Sequence, residues 1–160
     1  MMHITFDDIV QARQDVEDKL NNLTQIMRKE AGEFLTQYRN SLSTGREVWS
    51  DGNRTYPFAR ITNCNEQGLS RLQPVNELVL DARNSVSFVL ETVVDINTNG
   101  GSWESIDIRM YQQGRSIIIE IHPGNRCVEI PFNSGDNSYF EACKAVKETV
   151  VEKIRSRLSN

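Results

Sequence analysis

Cysteine, histidine and long apolar runs are scarce in this sequence. Its three cysteines are too widely spaced to form a CxxC pair, and its two histidines lack the spacing of a zinc site. The longest apolar run, "SIIIEI", is too short to cross a membrane as a helix. Cys64, Cys127 and Cys143 are therefore expected to be reduced, semi-buried thiols in a cytosolic protein, and neither a metal nor a membrane is expected.

Positive charge and targeting signals are also scarce. The 160 residues have a net charge of −4 and a pI of about 5.3, which makes general binding to nucleic acids or to anionic membranes unfavourable. The amino terminus, "MMHITFDDIV", has no basic region followed by an apolar stretch, so no secretory signal is expected. Phosphate-binding glycine motifs are absent, and no cofactor is predicted. These observations predict a single cytoplasmic domain over residues 1–160.

The charge that is present is unevenly distributed. Residues 1–18 hold five acidic residues against one basic residue, a balance of −4, whereas residues 141–160 hold five basic residues against three acidic ones, a balance of +2. Solvated helix faces would explain both ends. Alternatively, the acidic end binds a basic protein through Asp7, Asp8, Asp15 and Asp18. Nucleic-acid binding by the last helix, through Lys144, Lys147 and Arg155, is a third and weaker interpretation.

A long amphipathic helix is predicted near the amino terminus. Apolar residues recur about every 3.7 residues over 16–42, which is a helical period. Thr5 and Asp8 form a capping-box pattern at the start. Gly32 stays in phase with the apolar residues, so it is not expected to end the helix. The helix is predicted over residues 5–44.

This helix is too long for the domain that carries it. From Phe6 to Ser43 it would hold 38 residues and span about 57 Å. A compact domain of 160 residues is about 40 Å across. The apolar side of the helix must be covered, because monomers rarely expose large apolar patches. The last helix could lie alongside, although its roughly 22 residues reach only about 33 Å. Alternatively, the long helix bends or breaks near Gly32 and packs on its own sheet, or a second chain, identical or different, covers the part that projects.

The middle of the chain predicts an antiparallel sheet. Asp51-Gly52 indicates a hairpin, and Pro57 favours an edge position for its second strand. Alternating apolar residues in "SWESIDIRMYQQ", "RSIIIEIH" and "RCVEIPF" predict three more strands that form a meander. The result is a sheet of about five strands within residues 46–132.

Residues 74–96 are ambiguous between strand and helix. The stretch "SVSFVLETVV" is β-branched, which is typical of a strand, but its apolar residues also fall on one helical face. Because Pro74 suits the first turn of a helix and "NTNGG" suits its end, we predict a helix over 74–96. Ser138 and Glu141 form a second capping-box pattern, which predicts a last helix over 137–159. The predicted fold class is α+β, with helices packed on one antiparallel sheet.

Two sets of residues are candidates for function. His122 lies beside Glu120 at a strand end, where a carboxylate–histidine pair could transfer protons, and Arg126 across the turn could bind an anion. A histidine at a hairpin turn is also a common polar residue without any chemistry. The second set could form a protein interface or could pack beneath the helices, and it consists of Trp49, Trp103 and Tyr111 with Arg109.

The sequence favours a non-catalytic, cytosolic protein-binding module that also self-associates. Toxin-neutralising immunity proteins and secretion chaperones have the same small size and acidic charge, although this likeness covers no motif and transfers no residue. The alternative is a small enzyme or ligand-binding domain with a pocket between sheet and helices near Glu120, His122 and Arg126.

Overall fold

The computed structural model describes residues 3–43, 45–64, 67–97, 99–132 and 135–159, and these contain two α-helices, two 3-10 helices and eight strands. In chain order they are α1 (Phe6–Leu42), β1 (Val48–Ser50), β2 (Thr55–Pro57), β3 (Ala59–Cys64), β4 (Ser70–Leu72), a 3-10 turn (Val75–Glu77), β5 (Ser85–Asp95), β6 (Ser102–Gln113), β7 (Ser116–His122), β8 (Arg126–Pro131), α2 (Phe140–Arg155) and a closing 3-10 helix (Ser156–Ser159).

Six of these strands form one antiparallel sheet in the order β4-β3-β5-β6-β7-β8. Strands β5 to β8 form a meander, and β3 pairs with the other side of β5. Strands β1 and β2 form a separate hairpin, as "DG" predicts, and among the described strands β2 pairs with β1 alone. The α+β class is therefore confirmed, with six sheet strands and a hairpin where about five strands were predicted.

The core lies between one face of this sheet and the two helices. Alternate residues of β5, β6 and β7 point to the helices and are buried: Val86, Phe88, Leu90, Ile106, Ile108, Met110, Ile117, Ile119 and Ile121. Helix α2 contributes Val146 and Val150, and α1 contributes Phe34 and Tyr38. The Tyr38 hydroxyl shares a hydrogen bond of 2.7 Å with Thr92, and burial raises the pKa of Tyr38 to about 12.

The middle helix predicted over 74–96 is wrong. Only the 3-10 turn of three residues forms there, and the β-branched run becomes the central strand β5, paired on both sides. The Asp81 carboxylate organises the turn into β5, because it accepts from the backbone N–H groups of Arg83 and Ser85 at 2.8 and 3.1 Å. Val86, Phe88 and Leu90 point to the helices, and Val89 and Val93 lie on the other face. Apolar residues on both faces of the strand imitated the spacing of a helical face.

Helix α1 forms as predicted. It is continuous from Phe6 to Leu42, passing through Gly32 without a break. The capping box is also confirmed, since the Thr5 backbone N–H donates to Asp8 Oδ2 at 2.8 Å and the Asp8 N–H donates to Thr5 Oγ1 at 3.2 Å. These local interactions explain why the helix begins at the predicted residue.

The second capping box, Ser138 with Glu141, does not form. Helix α2 begins at Phe140, and its N-cap residue, Tyr139, makes no side-chain capping bond. Gln37 of α1 replaces the local cap: its Oε1 accepts from the Tyr139 backbone N–H at 2.8 Å, and its Nε2 donates to Ser138 Oγ at 3.2 Å. A side chain from α1 therefore caps α2, in place of the predicted local pair Ser138 and Glu141.

Candidate functional site

Helix α1 has one half in solvent and one half in the core. With 37 residues it spans about 55 Å. Every residue from 6 to 22 is exposed, whereas Met27, Phe34 and Tyr38 are fully buried. We call residues 6–26 the projecting segment and residues 27–42 the packed half. The predicted mismatch between helix length and domain size is thus present in the structure.

The projecting segment carries an uncovered apolar stripe. Its members and their exposed fractions are Phe6 (76%), Ile9 (60%), Val16 (56%) and Leu20 (38%), followed by the half-buried Leu23. The stripe continues in phase into Met27 and Phe34, which are sealed in the core. The same face of one helix is therefore covered at one end and open at the other.

Among the described residues, the hydrogen bonds that hold residues 6–22 in helical form are local. Besides the capping box, three side-chain pairs four residues apart lie on the surface of the projecting segment: Gln11–Asp15 at 2.9 Å, Arg13–Glu17 at 3.0 Å and Gln14–Asp18 at 3.0 Å. Exposed pairs of this kind are weak. Most helical stability in proteins comes from packing of the apolar face, so this segment would be strengthened by a cover.

The acidic residues predicted to bind a partner share the segment with the stripe. Asp7, Asp8, Asp15 and Asp18 all lie on it and are exposed. The hydrogen bonds from Thr5 lower the pKa of Asp8, so that carboxylate stays charged well into the acidic range. Residues 6–26 hold five acidic and two basic residues, a balance of −3. The candidate surface is thus an apolar stripe with an acidic border.

The two tryptophans lie at one end of the sheet, on the face opposite the helices. Trp49 is buried, stacks on Tyr56 with 4.7 Å between ring centroids, and donates from Nε1 to the Pro57 carbonyl at 3.1 Å. Trp103 lies beside it at 6.1 Å, with the guanidinium of Arg60 3.8 Å above its ring. Both rings thus attach the β1–β2 hairpin to the sheet, and a role in partner binding remains a prediction.

Gly101 allows this aromatic contact. Its φ of +79° lies in the left-handed region, and a Cβ at this position would lie 2.6 Å from the Trp49 ring. The hairpin is also fixed by Asp51, whose Oδ2 accepts from the Gly100 N–H at 2.9 Å. Backbone hydrogen bonds, first from Arg54, hold the pKa of Asp51 at about 2.

Arg109 and Tyr111 belong to a second cluster on the same outer face. Arg109 Nη1 lies 2.6 Å from Glu120 Oε1, its Nε donates to Ser85 Oγ at 3.0 Å, and its guanidinium is 4.8 Å from the centre of the Tyr111 ring. The cluster is half-buried, and its cation already has an anion, a hydroxyl and an aromatic ring as partners.

The residues proposed for catalysis are each engaged within the chain. Glu120 binds Arg109, and His122 Nδ1 lies 2.7 Å from Asn125 Oδ1. Arg126 reaches the other side of the sheet, where its guanidinium donates to Thr149 Oγ1 and to Glu152 Oε1 of α2, both at 2.6 Å. A depression of about 200 Å³ touches all three, but their reactive atoms point to different partners. They therefore do not converge on one substrate position.

Sequence reasoning missed a buried carboxylate. Glu104 is only 4% exposed, and it accepts from Arg157 Nη2 at 2.8 and 3.0 Å, with Lys153 Nζ at 3.7 Å. The available signal was its place in β6, on the same side as Ile106 and Ile108, because an inward carboxylate needs a cation. This contact uses Arg157 and Lys153, which belong to the basic stretch at 141–160.

Two clefts flank the packed half of α1. One of about 640 Å³ lies between α1 and the start of α2, where the Tyr139 hydroxyl donates to Glu30. Burial, with help from Glu30, raises the pKa of Tyr139. The other cleft, about 600 Å³, contains Cys143, and burial raises the pKa of that thiol to about 11. Cys143 is thus an unreactive core thiol, whereas Cys64 and Cys127 are exposed and not semi-buried as predicted.

Neither a metal cluster nor a membrane span emerges from the part of the chain that the structure describes. Groups of three or more His, Cys, Asp or Glu residues that could hold a metal ion do not occur there. No helix in that part of the chain is long and apolar enough to cross a membrane. Comparison with protein families, with curated proteins and with solved structures finds no match. The function must therefore be inferred from the chain's own geometry.

Proposed function

We propose that this chain is a non-catalytic protein-binding module and that the projecting segment, residues 6–26, is its docking surface. The apolar stripe that leaves the core and continues uncovered along the segment carries this proposal. In the described chain the last helix does not cover the stripe, because α2 packs on the sheet and on the packed half of α1.

Burial of the apolar stripe is the main source of binding free energy at this surface. A fully buried Phe, Ile, Val or Leu side chain contributes roughly 1.5–3 kcal/mol relative to an exposed one. Phe6, Ile9 and Val16 are each more than half exposed, so most of that contribution is still to be gained on binding. A second helix laid along the stripe would gain it at several positions at once, which is the usual way an amphipathic helix is recognised.

The acidic border adds selectivity. Its carboxylates would favour a partner that presents basic or uncharged residues beside its apolar face. In this proposal the module acts by covering another protein, as toxin-immunity proteins and secretion chaperones do, and it works in the cytosol, where unpaired thiols such as Cys64 and Cys127 stay reduced.

The test is capture of a protein chain in a stripe-dependent way. Tagged wild type, Leu20→Asp and Gln25→Asp are used as baits at equal concentration in the native host. Leu20 lies in the stripe, and Gln25 is exposed on the same segment outside it, so the two variants add the same charge at different places. We expect wild type and Gln25→Asp to recover one stoichiometric protein chain, whether another copy or a different protein, and Leu20→Asp to lose it.

A further bait separates binding from catalysis. His122→Ala should capture the same chain as wild type, because the imidazole lies outside the projecting segment and its Nδ1 is 2.7 Å from Oδ1 of the turn residue Asn125. Circular dichroism of each bait confirms that the body is folded. If Leu20→Asp retains the captured chain, or if His122→Ala loses it, the projecting segment is not the docking surface.

A further inference from the structure

We infer that the projecting segment pairs with the same segment of a second copy of the chain, in antiparallel orientation. In this register Phe6 is level with Leu23, Ile9 with Leu20, and Arg13 with Val16. The inference rests on the proposed function, because it names the occupant of the same docking surface. Three independent features of residues 6–26 support it.

The first feature is the spacing of the stripe. Its positions alternate in steps of three and four residues: Phe6, Ile9, Arg13, Val16, Leu20, Leu23 and Met27. Three heptads of this kind are the pattern by which two helices coil around each other with interlocking side chains. At Met27 two steps of four follow each other, and the packed positions Ala31, Phe34 and Tyr38 then continue in steps of three and four.

The second feature is Arg13, the one charged residue at a stripe position. In a parallel pair Arg13 would face Arg13 of the second copy, and two cations would be brought together in the interface. In the antiparallel register it lies level with Val16 of the second copy. Its aliphatic stem can then cover that valine while the guanidinium stays at the border near Glu17, which it already binds at 3.0 Å. Arg13 thus selects the antiparallel orientation.

The third feature is the position of the carboxylates. In the antiparallel register every acidic residue of the segment is level with an uncharged one: Asp7 with Asn22, Asp8 with Asn21, Asp15 with Gln14, Glu17 with Ala12, and Asp18 with Gln11. By the heptad spacing, Asp7, Asp8, Asp15 and Asp18 lie outside the seam of the pair, and only Glu17 flanks it. The carboxylates therefore border the paired helices without entering the seam.

The paired surface is three heptads long. Residues 6–26 span about 31 Å, and each copy contributes six seam positions: Phe6, Ile9, Arg13, Val16, Leu20 and Leu23. Antiparallel pairing also puts the two bodies at opposite ends of the paired helices. Each body then begins, at Met27, just beyond the amino-terminal end of the other copy's helix.

Spin labels test the orientation. Single cysteines at Asp15→Cys and at Asn22→Cys, in the full chain with Cys64→Ser and Cys127→Ser, occupy the same heptad place and are both exposed. In the antiparallel dimer the two labels at 15 are almost level, whereas those at 22 are separated by about 22 Å along the axis. Dipolar spectroscopy should therefore give a clearly longer distance for the label at 22. Equal distances would show a parallel pair, and no dipolar coupling would show no dimer.

Sedimentation equilibrium tests the stripe. Leu20→Asp should weaken the dimer by at least about 100-fold, because each dimer loses two buried leucines. Gln25→Asp should leave it unchanged, and Arg13→Leu should tighten it by about tenfold or more. A wild-type chain that stays monomeric while its capture of a different protein depends on Leu20 would overturn this inference and leave the proposed function standing. Capture that is independent of Leu20 would overturn the proposed function itself.

Discussion

The two halves of α1 carry the same apolar pattern but meet different surroundings. In the packed half, Arg28 donates to the Leu78 carbonyl at 2.8 Å and Arg39 donates to the Ala59 carbonyl at 2.7 Å, so its polar side chains reach distant parts of the fold. In the projecting segment, the hydrogen bonds of the described side chains connect residues three or four positions apart. An amphipathic pattern thus states that a face needs a cover, but it does not state whether the same chain supplies it.

The largest expected difference between the halves is in the effect of removing a phenylalanine. Phe34 is fully buried and packs against Tyr139 with 5.6 Å between ring centroids, whereas Phe6 is 76% exposed. Phe34→Ala should lower the free energy of unfolding by about 3–5 kcal/mol. Phe6→Ala should lower it by less than about 1 kcal/mol in the Leu20→Asp background, where pairing is blocked. Urea denaturation measures both, and equal losses would mean that a single copy covers its own projecting segment.

Carboxylates should show a smaller difference of the same kind. Glu104 is buried and binds Arg157, whereas Glu17 is exposed and binds Arg13. Glu104→Ala should reduce the free energy of unfolding by about 2 kcal/mol, because it leaves the cations of the closing segment without their anion. Glu17→Ala should cost less than about 0.5 kcal/mol. The volume-conserving Glu104→Gln serves as control, and a loss confined to Glu104→Ala would assign the effect to packing instead of charge.

Gly32 offers a substitution that should stabilise the packed half. A Cβ there would lie 3.8 Å from Val75 Cγ2, an ordinary contact distance. Because alanine favours the helix over glycine, Gly32→Ala should raise the free energy of unfolding by about 0.5–1 kcal/mol. Gln25→Ala, in the projecting segment, should change it by only a few tenths of a kcal/mol. A lower thermal midpoint for Gly32→Ala would show that the helix lies too close to the 3-10 turn for a methyl group.

The smallest effect should be the response of the helix start to acid. The pKa of Asp8 in the folded chain lies below its ordinary value of 3.8, so its capping contribution is complete above pH 4 and is lost as the pH falls through the lowered pKa. Amide exchange at residues 6–9 should therefore accelerate in acid relative to the intrinsic rate, while residues 27–42 stay protected. Asp8→Asn should remove the pH dependence. Simultaneous loss of protection in both halves would indicate global acid unfolding and not a local capping effect.

Local patterns predicted those parts of the fold that local interactions determine. Thr5 and Asp8 cap α1 within four residues of sequence, and the alternation of Ile106, Ile108 and Met110 describes a strand with one buried face. The Asp51-Gly52 turn likewise depends on its own neighbours. At these positions the residues that interact are close together in the sequence, so a local sequence pattern was enough to predict the structure.

The failures all involve partners that are distant in sequence. Strand β5 was misread because its pairing partners, β3 and β6, lie elsewhere in the chain and could not be read from its own pattern. The cap of α2 was misassigned because Gln37 arrives from α1, and Glu104 was overlooked because Arg157 is far along the chain. The candidate site could be predicted only in part for the same reason. Helix length and domain size predicted that a segment of α1 projects. The hydrogen bond from Arg126 to Glu152 of α2 could not be predicted, because the two residues are far apart in sequence.

Amide hydrogen exchange along α1 is the most direct test of the central claim, which is that another chain covers the stripe of the projecting segment. In the wild-type chain, protection of residues 6–22 should rise with protein concentration, while residues 27–42 stay protected throughout. In Leu20→Asp, residues 6–22 should exchange rapidly at every concentration and residues 27–42 should be unchanged. Protection of residues 6–22 that is independent of concentration and equal in both proteins would contradict the claim.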